Sequence, residues 1–161
     1  MSNNDILAAL RGSKLATDLD EAQLKTLSSH ITARDLAPGE VLVREGTSDD
    51  HLYVLMQGAL GVVRNHGGAD AVTLLTLTAG DFVGELSFID ATPHYASLVA
   101  LGPTRVFGLE REKLEALLPK DPELVYHVMR AIVRVVHQIQ RRLSMQSYEL
   151  SNYIYKQHGR Y

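Results

Sequence analysis

Between Glu40 and Leu109 apolar side chains recur at a period near two, in short runs broken by turn residues. Val41–Val43 is followed by Glu45-Gly46-Thr47-Ser48-Asp49-Asp50, and Leu52–Met56 by Gln57-Gly58. Leu60–Val63 gives way to Asn65-His66-Gly67-Gly68, and Val72–Leu77 to Ala79-Gly80-Asp81. Ala96–Leu101 stops at Gly102-Pro103, and Arg105–Leu109 follows. Many short strands at regular spacing with glycine-rich turns predict an antiparallel β-roll of the double-stranded jelly-roll kind. The residues before Pro38-Gly39 change period and read as helices. Asn4-Asp5 stands ahead of Ile6, Leu7 and Leu10, and Asp20 precedes Leu24 and Leu27 with Gln23 at capping-box spacing. The fold class is therefore α+β, with residues 1–38 as an N-terminal helical segment and 39–121 as the roll, closed by a short helix from Arg111 to Leu118.

Past Pro122, a residue suited to the first helical position, no breaker interrupts the pattern as far as Leu143. Val125, Val128, Ile132, Val135, Ile139 and Leu143 step by three or four and share one helical face. A helix over 122–148 would be about 40 Å long at 1.5 Å per residue, more than a roll of this size can cover. The surplus predicts a homodimer seam formed by Val128, Ile132, Val135, Ile139 and Leu143. Arg130, Arg134, Arg141 and Arg142 then form the solvated face. Residues 149–161 are set apart as a tail, and the tyrosines Tyr148, Tyr153, Tyr155 and Tyr161 cluster there. They are expected to cover the end of the roll or the seam, or else to dock a protein partner.

Composition narrows the function classes. A chain of 161 residues is most simply one domain, and a formal net charge of -3 gives no general attraction to nucleic acid or to an anionic membrane. Absence of cysteine excludes disulfides and thiolate chemistry. The N-terminus lacks the apolar run of a signal peptide and no stretch is apolar enough to span a bilayer, so a cytoplasmic location is expected. The seven histidines are scattered with no His-x-His pair, so no metal site is expected. There is no phosphate loop and no strained nucleophile turn. No enzymatic activity and no bound cofactor are expected.

One segment carries specific chemistry. In Gly80-Asp81-Phe82-Val83-Gly84-Glu85-Leu86-Ser87, a glycine and a carboxylate open a short apolar turn, and His94, within Pro93-His94-Tyr95-Ala96-Ser97, stands nine residues after Glu85. This resembles the phosphate-binding cassette of cyclic nucleotide-binding domains. Together with Pro38-Gly39-Glu40, Glu45-Gly46, the Leu52–Gly58 run and Arg141-Arg142-Leu143, it is similar to the bacterial catabolite activator protein family over residues 15 to 150. The resemblance implies that Gly84, Glu85, Leu86 and Ser87 supply the turn, a ribose acceptor and a cradle of N–H groups, and that Ser97 adds a hydroxyl. It implies that the long helix is a dimerisation helix, and that Gln146 and Ser147 reach the base of the ligand. The family continues into a helix-turn-helix domain, whereas this sequence stops near that hand-over, so no DNA binding by this chain is expected.

His94 stands where the family carries arginine. A guanidinium is a permanent cation with a two-pronged fork for phosphate oxygens. An imidazole is shorter and, with a reference pKa of about 6.5, is mostly uncharged at neutral pH. Loss of a charge-assisted contact costs about 1.5–3 kcal/mol, or about ten- to a hundredfold in affinity. Tyr95 is a second departure, a large ring in place of a small residue. Three readings follow: a regulatory module with weakened binding of a cyclic nucleotide such as cyclic AMP, a pocket retuned to another anionic effector, or a vestigial pocket in a ligand-free dimeric interaction module.

Overall fold

A computed structural model describes residues 3–158, with side chains described for all of these except Asn3, Arg142, Leu143 and residues 155–158. The chain opens with α1 (Asn3–Arg11), a single 3-10 turn at Lys14–Ala16, and α2 (Glu21–Ser28). The start of α2 is fixed as its sequence predicts. The Asp20 carboxylate accepts the Gln23 N–H at 2.8 Å, and the Gln23 side chain accepts the Asp20 N–H at 3.2 Å.

Eight strands form the roll: β1 (Ile31–Leu36), β2 (Val41–Val43), β3 (His51–Gln57), β4 (Leu60–Arg64), β5 (Val72–Leu77), β6 (Phe82–Val83), β7 (Ser97–Ala100) and β8 (Thr104–Glu110). They pair antiparallel in two four-stranded sheets, ordered β1-β8-β3-β6 and β2-β7-β4-β5. Alternation along β3 shows how the layers stack. Leu52 and Val54 join a core shared with the helices, while Leu55 faces the second sheet among Leu42, Leu60, Val62, Leu98 and Val106. The first sheet is thus covered on both faces, by helices outside and by its partner sheet inside.

The N-terminal segment departs from expectation at β1, which lies inside the stretch read as helical. Ile31 and Leu36 are buried at its ends, while Thr32, Arg34 and Asp35 are exposed. An edge strand with this pattern has no apolar alternation to display. It is a strand because its backbone pairs with β8, from Ile31 opposite Leu109 to Leu36 opposite Thr104, and because Arg105 forms an ion pair with Asp35 across that pairing.

Two more helices, α3 (Glu85–Asp90) and α4 (Arg111–Glu115), flank the roll before α5 (Pro122–His158) begins. Val128 and Ile132, assigned from sequence to a dimer seam, have no surface to offer a second chain. Both are 0% exposed and pack with Leu124, Phe88, Phe107 and Leu27 in the protein's own core. Val135 is partly buried against the same core. The change comes after Val136: residues 137–141 and 144–154 are all exposed, Ile139 at 43%. The Leu143 side chain lies outside the described residues.

Two further expectations change along α5. It does not stop at Tyr148 but runs to His158, since no glycine or proline intervenes. Tyr148 and Tyr153 are 65% and 61% exposed on it; the side chains of Tyr155 and Tyr161 are outside the described residues. Arg134 and Arg130 are not free on a solvated face either. They sit 3.0 and 3.5 Å from Asp18 Oδ2, tying α5 to the N-terminal segment. No helix among the described residues is long and apolar enough to cross a membrane.

Candidate functional site

The cassette is built by a strand that stops and a short helix that starts. β6 pairs with β3, Val83 opposite Tyr53, and Gly84 then turns the chain with φ +90°. Glycine reaches that left-handed conformation without penalty. Here it also answers a close approach, because a Cβ at residue 84 would lie 3.0 Å from the His51 carbonyl oxygen. α3 is pinned by Phe88, 1% exposed in the core. The returning segment is stitched to the β2–β3 loop: the His94 N–H donates to the Thr47 carbonyl and the Gly46 N–H to the His94 carbonyl, both at 2.8 Å.

These backbone bonds aim the His94 ring inward, where its side chain is only 8% exposed. His94 Nε2 lies 3.2 Å from Asp49 Oδ1, and the Tyr53 hydroxyl donates to the other oxygen of Asp49 at 2.9 Å. Burial and the Asp49 charge push the Tyr53 hydroxyl above the ordinary tyrosine range, so it stays a donor. The histidine that replaces the family's arginine is therefore engaged by a carboxylate of its own chain. Behind it, the His51 ring stacks on Tyr53 with centroids 5.6 Å apart, and His51 Nδ1 is 2.8 Å from Asp50.

The cavity bounded by Gly84, Glu85, Leu86, Ser87, Pro93, His94 and Tyr95 holds about 30 Å³, space for little more than ordered water. Two hydroxyls expected there are spent on structure. Ser87 Oγ accepts the Asp49 N–H at 2.8 Å and donates to the Asp49 carbonyl at 2.6 Å, clipping the loop that presents Asp49. Ser97 Oγ accepts the Glu45 N–H at 3.0 Å; it is buried in β7 and does not line the cavity.

Glu85 is half-buried. Burial pushes its carboxyl above the usual carboxylate range, while its own N–H, the nearby His94 and the Gly84 N–H pull it part of the way back. A carboxyl raised in this way is bound to a proton in the folded state over a pH interval where the unfolded chain has released it. Stability from this group therefore falls as pH rises from the usual carboxylate range through the raised value. Glu85→Gln removes the charge without changing shape, so it should raise Tm at pH 7.5 and leave it near the parent value at pH 4. Thermal melts at the two pH values check this, and a Tm gain at pH 4 alone contradicts it.

Glu85, Leu86 and Tyr95 also form one wall of a second, wider space. Val136, Ile139, Gln140, Ser144 and Ser147 of α5 form the other, enclosing a groove of about 760 Å³. Ser147, one of the two helix residues assigned from sequence, lines this groove. Gln146 does not: it is exposed and absent from the groove wall, because Gln140, Ser144 and Ser147 follow i, i+4, i+7 spacing and Gln146 falls off that face. That spacing was legible in the sequence and would have found Gln140 and Ser144. Asp49 was not legible, being 45 residues from His94 with no motif joining them. No group of three or more histidine, aspartate or glutamate side chains is placed to hold a metal ion among the described residues.

Comparison with known proteins locates this geometry. The family model described as cyclic nucleotide-binding domain matches residues 33–121. A cAMP-dependent protein kinase regulatory subunit from Blastocladiella emersonii is 31% identical over 113 residues, covering 70% of this chain and 28% of that protein. The cyclic AMP receptor protein of Thermus thermophilus is 26% identical over 140 residues, covering 87% of this chain and 65% of that one. The chain thus spans less than two thirds of the length of either. Among solved structures, a cyclic nucleotide-binding domain from Methylobacillus flagellatus superposes with TM-score 0.75 at 27% identity, over 87% of this chain and 79% of that one.

Proposed function

Because the chain belongs to the cyclic nucleotide-binding domain family, we propose that it works as a sensory, regulatory module rather than an enzyme, with its grip on a cyclic nucleotide phosphate weakened by the exchange of arginine for His94. One observation carries the reading. His94 Nε2 is held 3.2 Å from Asp49 Oδ1, so the cassette has no permanent cation to offer a phosphate and a carboxylate stands directly behind the imidazole. A phosphate entering here must compete with Asp49 for whatever positive charge the ring carries. In this reading Glu85 accepts from a ligand hydroxyl; its position, with Leu86 and Tyr95, on both the cassette cavity and the groove wall supports this.

The exposed distal part of α5 supports a homodimer. Ile139, Leu143 and Leu150 continue with separations of four and seven, which places them on one stripe. A second helix of the same kind is the simplest cover for that stripe. This moves the proposed seam outward, away from Val128 and Ile132. A protein partner that receives the signal is part of the same proposal, since a sensory domain acts through whatever it contacts.

Calorimetric titration with cyclic AMP and cyclic GMP at pH 6 and pH 7.5 tests the reading. Weak binding that strengthens at the lower pH is expected, because protonation supplies the missing charge. A ligand-free interaction module, which the small cassette cavity of about 30 Å³ favours, predicts no heat at either pH up to high micromolar concentration.

A further inference from the structure

The wide groove and the cassette differ in what they offer a ligand. Glu85 is the one acidic side chain in the groove wall, and no lysine, arginine or histidine lines it among the described residues. The nearest cassette group able to carry positive charge is His94, which is 8% exposed and engaged by Asp49. An anion entering this space gives up water and meets the half-buried Glu85 carboxyl, while none of the described wall side chains carries a positive charge, which is unfavourable. Each other wall residue suits a neutral ring instead. Leu86 is 46% exposed, and Tyr95 presents its ring at 57% exposure. Gln140, Ser144 and Ser147 bring uncharged donors and acceptors to one side. At about 760 Å³ the groove is in the size range of small-molecule sites.

We propose that this groove takes an uncharged, ring-bearing molecule, its ring against Leu86 and Tyr95 and a hydroxyl or amine donating to Glu85, in preference to an anionic cyclic nucleotide. The inference rests on reading this place as the family's ligand site, and it names the ligand's charge class. Tyr95, the large residue that departs from the family pattern, becomes a binding surface: an aromatic face stacks on a flat ring whatever its hydrogen-bonding edge. Ser144 and Gln140 become the residues that read that edge.

Adenosine and guanosine are the direct probes, since each differs from its cyclic monophosphate chiefly by the charged group. At pH 7.5, calorimetry should show each nucleoside binding at least tenfold tighter than its cyclic counterpart. Tyr95→Ala should weaken nucleoside binding at least tenfold. Ser144→Arg, a change at an exposed helical position, adds a cation to the wall and should reverse the order in favour of the cyclic nucleotide. Tighter binding of the cyclic nucleotide by the unmodified protein overturns the proposal. So does absence of nucleoside binding by protein whose thermal melt shows it folded. The parent reading is judged separately, by whether His94→Arg gains cyclic AMP binding: a gain there with silent nucleosides removes this inference alone, and failure of both removes the ligand site itself.

Discussion

His94→Arg is expected to tighten cyclic AMP binding by at least tenfold at pH 7.5 and to make the affinity nearly independent of pH between 6 and 7.5. A charge-assisted contact to phosphate is worth about 1.5–3 kcal/mol, which corresponds to about one to two decades in the dissociation constant. Guanidinium keeps its charge across that interval and presents two donors in one plane. The backbone frame is already in place, because the bonds from residue 94 to Thr47 and Gly46 do not involve the side chain. One local group opposes the gain. Asp49 now holds His94 at 3.2 Å and would pair with the new guanidinium as well. Asp49→Asn keeps an acceptor for the Tyr53 hydroxyl while removing the competing charge, so the double variant should bind more tightly than His94→Arg alone. If neither variant gains affinity, the Tyr95 ring or the closed cavity is the barrier instead.

The second large effect concerns α5. Ile132→Ala should destabilise the fold by about 2–5 kcal/mol, the usual cost of emptying a filled core position, since Ile132 is 0% exposed among helix and roll side chains. Ile139→Ala, at 43% exposure, should change the stability of the roll by less than about 0.5 kcal/mol and act on self-association instead. Denaturant unfolding at low protein concentration, paired with sedimentation, separates the two. Equal effects on unfolding from both variants would contradict the division of this helix into a buried half and a projecting half.

That division explains what a one-dimensional pattern conveys and what it leaves out. The apolar stripe of α5 is continuous, and spacing alone cannot mark where the rest of the fold stops covering it; the boundary near Val136 depends on where the 3-10 turn at Lys14–Ala16 meets the helix. The Asp20–Gln23 cap was readable because both partners are three residues apart and the bonds are local. The period-two runs gave β2, β3, β4, β7 and β8, whose side chains alternate between layers or fill a core, and β5, whose side chains are exposed except for Leu77. β1 and β6 were not readable: one is an exposed edge held by backbone pairing, the other only two residues long. The cassette glycine and carboxylate were legible because turn geometry demands them at fixed spacing. The Asp49 carboxylate that engages His94 was not, since only the meeting of the β2–β3 loop with the cassette brings 49 and 94 together.

The most direct test of the account is the affinity of the unmodified protein for cyclic AMP at pH 7.5. With the imidazole occupied by Asp49 and no fixed positive charge in the cassette, the dissociation constant should lie in the high-micromolar range or weaker. Submicromolar binding that stays the same when the pH is lowered to 6 would contradict it.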